Sequence, residues 1–131
     1  MNIINKPIFE IESYVDDFQS EGLPVLNITV LRNITLEPIT PYIRYLGLCM
    51  DYRVNLIFGG YDNVMQDILS NASLLHDNTD CIMIFLKLET LCSGLIYRFA
   101  ELSPKELQYE VEFVKSYVDK LLKEFEQRQM H

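Results

Sequence analysis

The chain has 131 residues, 49% of them hydrophobic and 23% charged, which is the length and make-up of one ordinary globular domain. A chain of this size buries a core without disulfide staples. Its net charge of −8 comes with no cluster of Lys and Arg, which argues against a nucleic-acid backbone or an anionic membrane surface as a direct ligand.

Residues 7–20 are predicted as a short amphipathic helix. Ile8, Ile11, Val15 and Phe18 recur on one helical face, with Glu12, Asp16 and Asp17 mostly off it. Gly22 and Pro24 end it. Val25–Leu31 is rich in β-branched residues and follows a proline, so it reads as a buried strand. A polar turn comes next, in which Thr35 is a candidate N-cap, Glu37 a first-turn acid and Pro38 a helix-start residue. The second helix runs to about Asp51, with Tyr42, Tyr45, Leu46 and Cys49 as inner positions. Pro41 belongs to its first turn or moves its start later.

Val54–Phe58 is the second strand, and Gly59-Gly60-Tyr61-Asp62-Asn63 its turn into a third helix, Asn63–Ser70. Glycines after a strand ordinarily supply a positive φ, and Asp62 or Asn63 then caps the helix. A polar loop holding His76 leads to Cys81–Leu86, the most apolar strand. Residues 87–102 are expected to be loop with a short helix near Leu95–Phe99. The last helix carries the clearest signals: Ser103 at N-cap, Pro104 at N1 and Glu106 at N3 form a capping box. Leu107, Val111, Val114, Val118, Leu121, Leu122 and Phe125 then follow one stripe to the chain end.

Strands alternating with helices imply a three-layer α/β/α fold on a short parallel sheet, with order 2-1-3 the simplest. Ligands of such sheets sit at the carboxyl ends of the strands. The rim there collects Arg32, Asn33, Thr35, Glu37, Gly59, Gly60, Tyr61, Asp62 and Glu89 as candidate ligand-binding residues. Arg32 and the turn after it could hold an anion, but plain helix capping is the preferred reading, because the turn has no glycine for close backbone approach.

Catalytic residues are not in evidence. The histidines are His76, in the loop, and His131, at the end, and neither makes a triad with a nucleophile and an acid. No Cys or His pair has metal-ligand spacing, so neither metal nor cofactor is expected. Cys49, Cys81 and Cys92 form no C-x-x-C, and two of them lie in apolar runs. Buried free thiols in a reducing compartment are the expectation, together with a cytoplasmic location. No signal peptide is read at the start, and no apolar run approaches the ~20 residues that span a bilayer. The sequons at Asn27, Asn33 and Asn71 then carry no glycan. Acidic residues near both ends read as solvated faces.

The stretch from Ile28 to Leu121 resembles the N-terminal region of FkbH-like proteins of the haloacid dehalogenase superfamily, subfamily IIIC. The matching pieces are Leu31–Pro38, Pro41–Tyr45, Phe58–Asp62 with Gln66–Leu69, Leu86–Glu89, and Phe99 with Leu102-Ser103-Pro104. The resemblance implies a domain like the SGNH hydrolases, with a flavodoxin-like sheet, that precedes a phosphatase-like domain. Several members load a glyceryl unit onto an acyl carrier protein for polyketide-type biosynthesis. On this reading residues 1–131 are one domain, with 1–23 an N-terminal helical extension and 24–131 the SGNH-like core.

The departures from that pattern are chemical. The chain has no Asp-x-Asp, the nucleophile motif of the phosphatase-like domain. Arg32-Asn33-Ile34 stands where an SGNH esterase carries Gly-Asp-Ser, and Lys87-Leu88-Glu89 where it carries Gly-x-Asn. The late Asp-x-x-His is missing, and the match stops before the family's later strands. The third strand is therefore expected to be an open, apolar edge needing a partner: a second copy or a phosphatase-like domain. The functional expectation is a non-catalytic interaction or scaffold domain, with an acyl carrier protein as a further possible partner. The alternative is a degenerate esterase or small-anion-binding domain using the rim.

Overall fold

The computed structural model describes residues 6–18, 22–70 and 78–129. Three strands, β1 (Val25–Arg32), β2 (Arg53–Tyr61) and β3 (Cys81–Phe85), form one parallel sheet in the order β2-β1-β3. Around it lie α1 (Ile8–Asp17), α2 (Thr40–Cys49), α3 (Val64–Leu69), α4 (Leu88–Leu91), α5 (Ser93–Tyr97) and α6 (Pro104–Gln129). This is the three-layer α/β/α arrangement expected from the alternation of elements.

The layers follow from the period of two along each strand. Ile28 and Val30 of β1 pack with Val54, Leu56 and Phe58 of β2, beneath Ile43 of α2. Leu31 points the other way, into a cluster with Val64 and Ile68 of α3 and Leu121 of α6. Gly47 lets α2 lie close on β2, since a Cβ there would run into the Val54 side chain. Behind α2 sits α1, anchored by the fully buried Ile11 and an edge-on contact of the Tyr14 and Tyr45 rings, 5.4 Å between centroids.

Several local expectations are corrected. The first helix stops at Asp17, and residues 19–21 lie outside the described part of the chain. Of its predicted face Ile11 is buried, whereas Ile8 and Phe18 are exposed. Thr35 is exposed and caps nothing: a 3₁₀ turn, Glu37–Ile39, intervenes, and α2 starts at Thr40 with Pro41 in its first turn. A proline there loses no helical hydrogen bond, which resolves its placement. Tyr45 faces inward as expected, with Leu48, but Leu46 and Cys49 are exposed. Residues 87–102 hold two short helices, α4 and α5, and a 3₁₀ turn at Phe99–Glu101 rather than one helix near Leu95–Phe99.

The second strand runs through both glycines to Tyr61 instead of ending at Phe58. Its pairing with β1 shifts register, from Val30 opposite Phe58 to Arg32 opposite Tyr61, so a bulge lies at Gly59-Gly60. Neither glycine has a positive φ. The left-handed residue of this turn is Asp62, at φ 54°. What Gly59 supplies is room: a Cβ there would stand 2.6 Å from Asp67 Oδ2 and 3.0 Å from Leu31 Cδ2.

The capping box is present. Ser103 Oγ accepts the Glu106 N–H at 3.3 Å, and Glu106 Oε2 accepts the Ser103 N–H at 2.8 Å. The apolar stripe of α6 is split. Leu121 is buried, and Leu107, Val114 and Phe125 are partly so, while Val111, Val118 and Leu122 stay exposed.

Candidate functional site

The carboxyl ends of the strands meet as the topology requires: Arg32 pairs with Tyr61 on one side and Phe85 on the other. Each rim residue can be placed from there. Arg32 is only 7% exposed. Its guanidinium lies over the Phe58 ring, 5.2 Å from the centroid. Nη1 donates to the Ile34 carbonyl at 3.2 Å, and Nη2 donates to Glu37 Oε1. The other Glu37 oxygen accepts the Leu36 N–H at 3.1 Å. Glu37 thus fills the place beside Arg32 that an anion would take. Arg32 Nε is buried and has no partner.

Asn33 is 1% exposed and stitches β1 to the chain leaving β3. Its Nδ2 donates to the Lys87 carbonyl at 3.0 Å, and its Oδ1 accepts the Lys87 N–H at 2.6 Å. Its own N–H donates to the Phe85 carbonyl at 3.2 Å. The side chain imitates a peptide group and prolongs the β1–β3 pairing beyond Phe85. Every polar atom of the amide group is thereby engaged.

On the β2 side the Asp62 N–H donates to the Arg32 carbonyl at 3.1 Å, closing the bulge. The Gly60 N–H donates to Asp67 Oδ2 at 2.9 Å. Asp67 is a residue the sequence reading passed over as a site member. It is 8% exposed, and it falls on the same helical face as Val64 and Ile68. A carboxylate on an otherwise apolar helical face was the available signal. Tyr61 is exposed, and Glu89 sits in the first turn of α4 with its carboxylate 3.6 Å from Lys87 Nζ. Exposed Thr35 joins none of these contacts.

The rim therefore brings together Arg32, Asn33, Glu37, Gly60 and Asp62, and the polar groups of the first three, Arg32 Nε apart, are turned on the protein itself. Asp62 borders a groove of about 280 Å³ with Tyr117 of α6, and Glu37 one of about 270 Å³ with Arg44 of α2. Neither groove is lined by Arg32 or Asn33. Burial, with a smaller contribution from the Asp62 charge, pushes the Tyr117 phenol up. Another groove, of about 390 Å³, opens at the opposite ends of the strands, between Val25, Arg53 and Phe18.

The thiols do not supply a nucleophile to this rim. Cys49 and Cys81 are exposed, against expectation, because one lies on the outer side of α2 and the other starts the edge strand. Cys92 is buried and donates to Glu110 Oε2 at 2.6 Å. Burial and that hydrogen bond push the Cys92 thiol up, which keeps it protonated. His76 and His131 lie outside the described residues. Among the described residues no group of three or more His, Cys, Asp or Glu could hold a metal ion. No described helix is long and apolar enough to cross a membrane.

The fold has a counterpart of known structure. The N-terminal part of the protein BF1531 from Bacteroides fragilis, which contains a phosphatase domain and was crystallised with Mg, superposes with a TM-score of 0.66 at 15% identity. The match covers 88% of this chain and 30% of that one, so this chain spans under a third of its neighbour's length. The likeness establishes the fold. No protein-family model matches the sequence, and no curated protein does.

Proposed function

We propose that this chain is a non-catalytic interaction domain, of the kind the resemblance places ahead of a phosphatase-like domain in FkbH-like proteins that load glyceryl units onto an acyl carrier protein. The observation that carries this reading is how the rim is used. Where a hydrolase of this fold would hold nucleophile and oxyanion donors, Asn33 bonds the Lys87 main chain and Arg32 is held by Glu37. With the Asn33 amide and the Arg32 Nη groups serving the fold, of these two side chains only the Arg32 Nε is left to act on a substrate. The neighbour's phosphatase domain lends support to a phosphatase-like partner. A reducing, cytoplasmic setting goes with three unpaired thiols.

The test is a titration of the isotope-labelled chain with an acyl carrier protein and, separately, with a phosphatase-like domain. Localised shifts with either, and no hydrolysis of short-chain esters above buffer, are expected. Ester turnover that disappears in Glu89→Ala would overturn the reading. A second reading, small-anion binding, has one observation behind it, the unpartnered Arg32 Nε. Inorganic phosphate decides it: saturable binding abolished by Arg32→Ala favours the anion site over docking.

A further inference from the structure

β3 has β1 on one side and no strand on the other among the described residues. Its five residues, Cys-Ile-Met-Ile-Phe, contain no charge and no proline, the usual devices that keep an edge from pairing. Both faces are apolar: Met83 and Phe85 join the cluster under α2, and Ile82 and Ile84 the cluster under α6. A groove of about 380 Å³ runs along this edge, lined by Asp80, Cys81, Ile82, Ile84 and, from α6, Phe125.

The helix supplies a second strip beside it. Tyr117 faces the α3 side, sharing a groove with Met65, and Phe125 faces β3. At about 100° per residue, Phe125 lies roughly 80° around the helix from Tyr117. Continuing in the same sense, Val118 lies roughly 20° and Leu122 roughly 60° past Phe125. Both therefore project beyond the open edge, and they are 38% and 53% exposed.

We propose that this edge and the outer strip of α6 bind a second copy of the chain, with β3 pairing antiparallel to its counterpart. The sheet then becomes continuous, three strands from each copy. This rests on the interaction-domain reading and names one of its surfaces. Charge selects the arrangement. β3 is preceded by exposed Asp80, whose Oδ2 accepts the Asn27 N–H at 2.8 Å, and followed by Lys87, whose side chain is 50% exposed and lies 3.6 Å from Glu89. Antiparallel pairing sets Asp80 of each copy toward Lys87 of the other, whereas parallel pairing sets Asp80 against Asp80 and Lys87 against Lys87. A two-fold axis perpendicular to the sheet also keeps both α6 helices on one face, where the Val118 and Leu122 strips meet. The contact is self-complementary, as a two-fold interface must be.

Light scattering on the full chain over a range of concentrations tests this. The expected mass is twice 15.4 kDa. Leu122→Glu should weaken association about 100-fold by burying an unpaired carboxylate, with an unchanged circular dichroism spectrum. Val118→Lys repeats the test if that variant fails to fold. In the dimer the alternate amides of Cys81–Phe85 that face away from β1 should exchange slowly and lose protection on dilution. A monomer or polydisperse aggregate at high micromolar concentration overturns the proposal. So does a dimer that withstands both substitutions with the outward-facing β3 amides still exchanging fast. Either failure leaves the carrier-protein and phosphatase-domain titrations to judge the interaction-domain reading by themselves.

Discussion

Arg32 and Asn33 are neighbours in the chain, one held by Glu37 and the other by the Lys87 main chain, so the same strand end does two separate structural jobs. Asn33 is the more exacting of the two. Replacing it by Ala leaves the Lys87 N–H and carbonyl without their partners, while the backbone bond to Phe85 remains. Asn33→Ala should therefore cost about 2–3 kcal/mol, read as a lower urea midpoint with an unchanged slope. A residue that instead served a ligand would show little change in midpoint when removed. That Asn33 would matter was legible from its place after the first strand, but its role was not. An Asn side chain can face an anion or copy a peptide group, and only the position of Lys87, 54 residues on, decides between them.

Among the elements, α6 follows its local code most closely. Ser103, Pro104 and Glu106 are contiguous, and a capping box needs no distant partner, so sequence and structure agree there. Hydrogen bonds from the Ser103 side chain and backbone hold the Glu106 carboxyl below the usual carboxylate range. Because its folded pKa is depressed, the stability it contributes is present above the unfolded carboxyl's pKa and is lost as pH falls through the folded one. Glu106→Gln should thus lower the melting temperature at pH near 7, and the gap to the unaltered chain should narrow at acid pH as the carboxyl takes up its proton. Thermal melts at neutral and acid pH check this. The end of β2 shows the opposite case. A Gly-Gly pair after an apolar run looks like a turn by local rules, yet the strand continues through it. The reason is tertiary: the bulge lets Gly60 donate to Asp67, and Gly59 leaves that carboxylate room.

At the scale of the molecule, α1 is integral to the packed body although it precedes the sheet. Ile11 is fully buried, so Ile11→Ala should cost about 2–4 kcal/mol, measured as a fall in the midpoint of a single unfolding transition. If α1 were a detached extension, that midpoint would not move. The sequence by itself determined the three-layer architecture and the 2-1-3 strand order, because apolar period and right-handed crossovers leave few alternatives. It determined the start of α6 for the same reason, every signal lying within a few residues. Only the tertiary structure decided that Glu37 occupies the guanidinium of Arg32, that Asp67 is buried beneath Gly60, and that three of the seven residues in the apolar stripe of α6 stand exposed. Those outcomes depend on which surfaces the layers bring together. A pattern of spacing along one chain carries the period of an element, but not the neighbour it will meet.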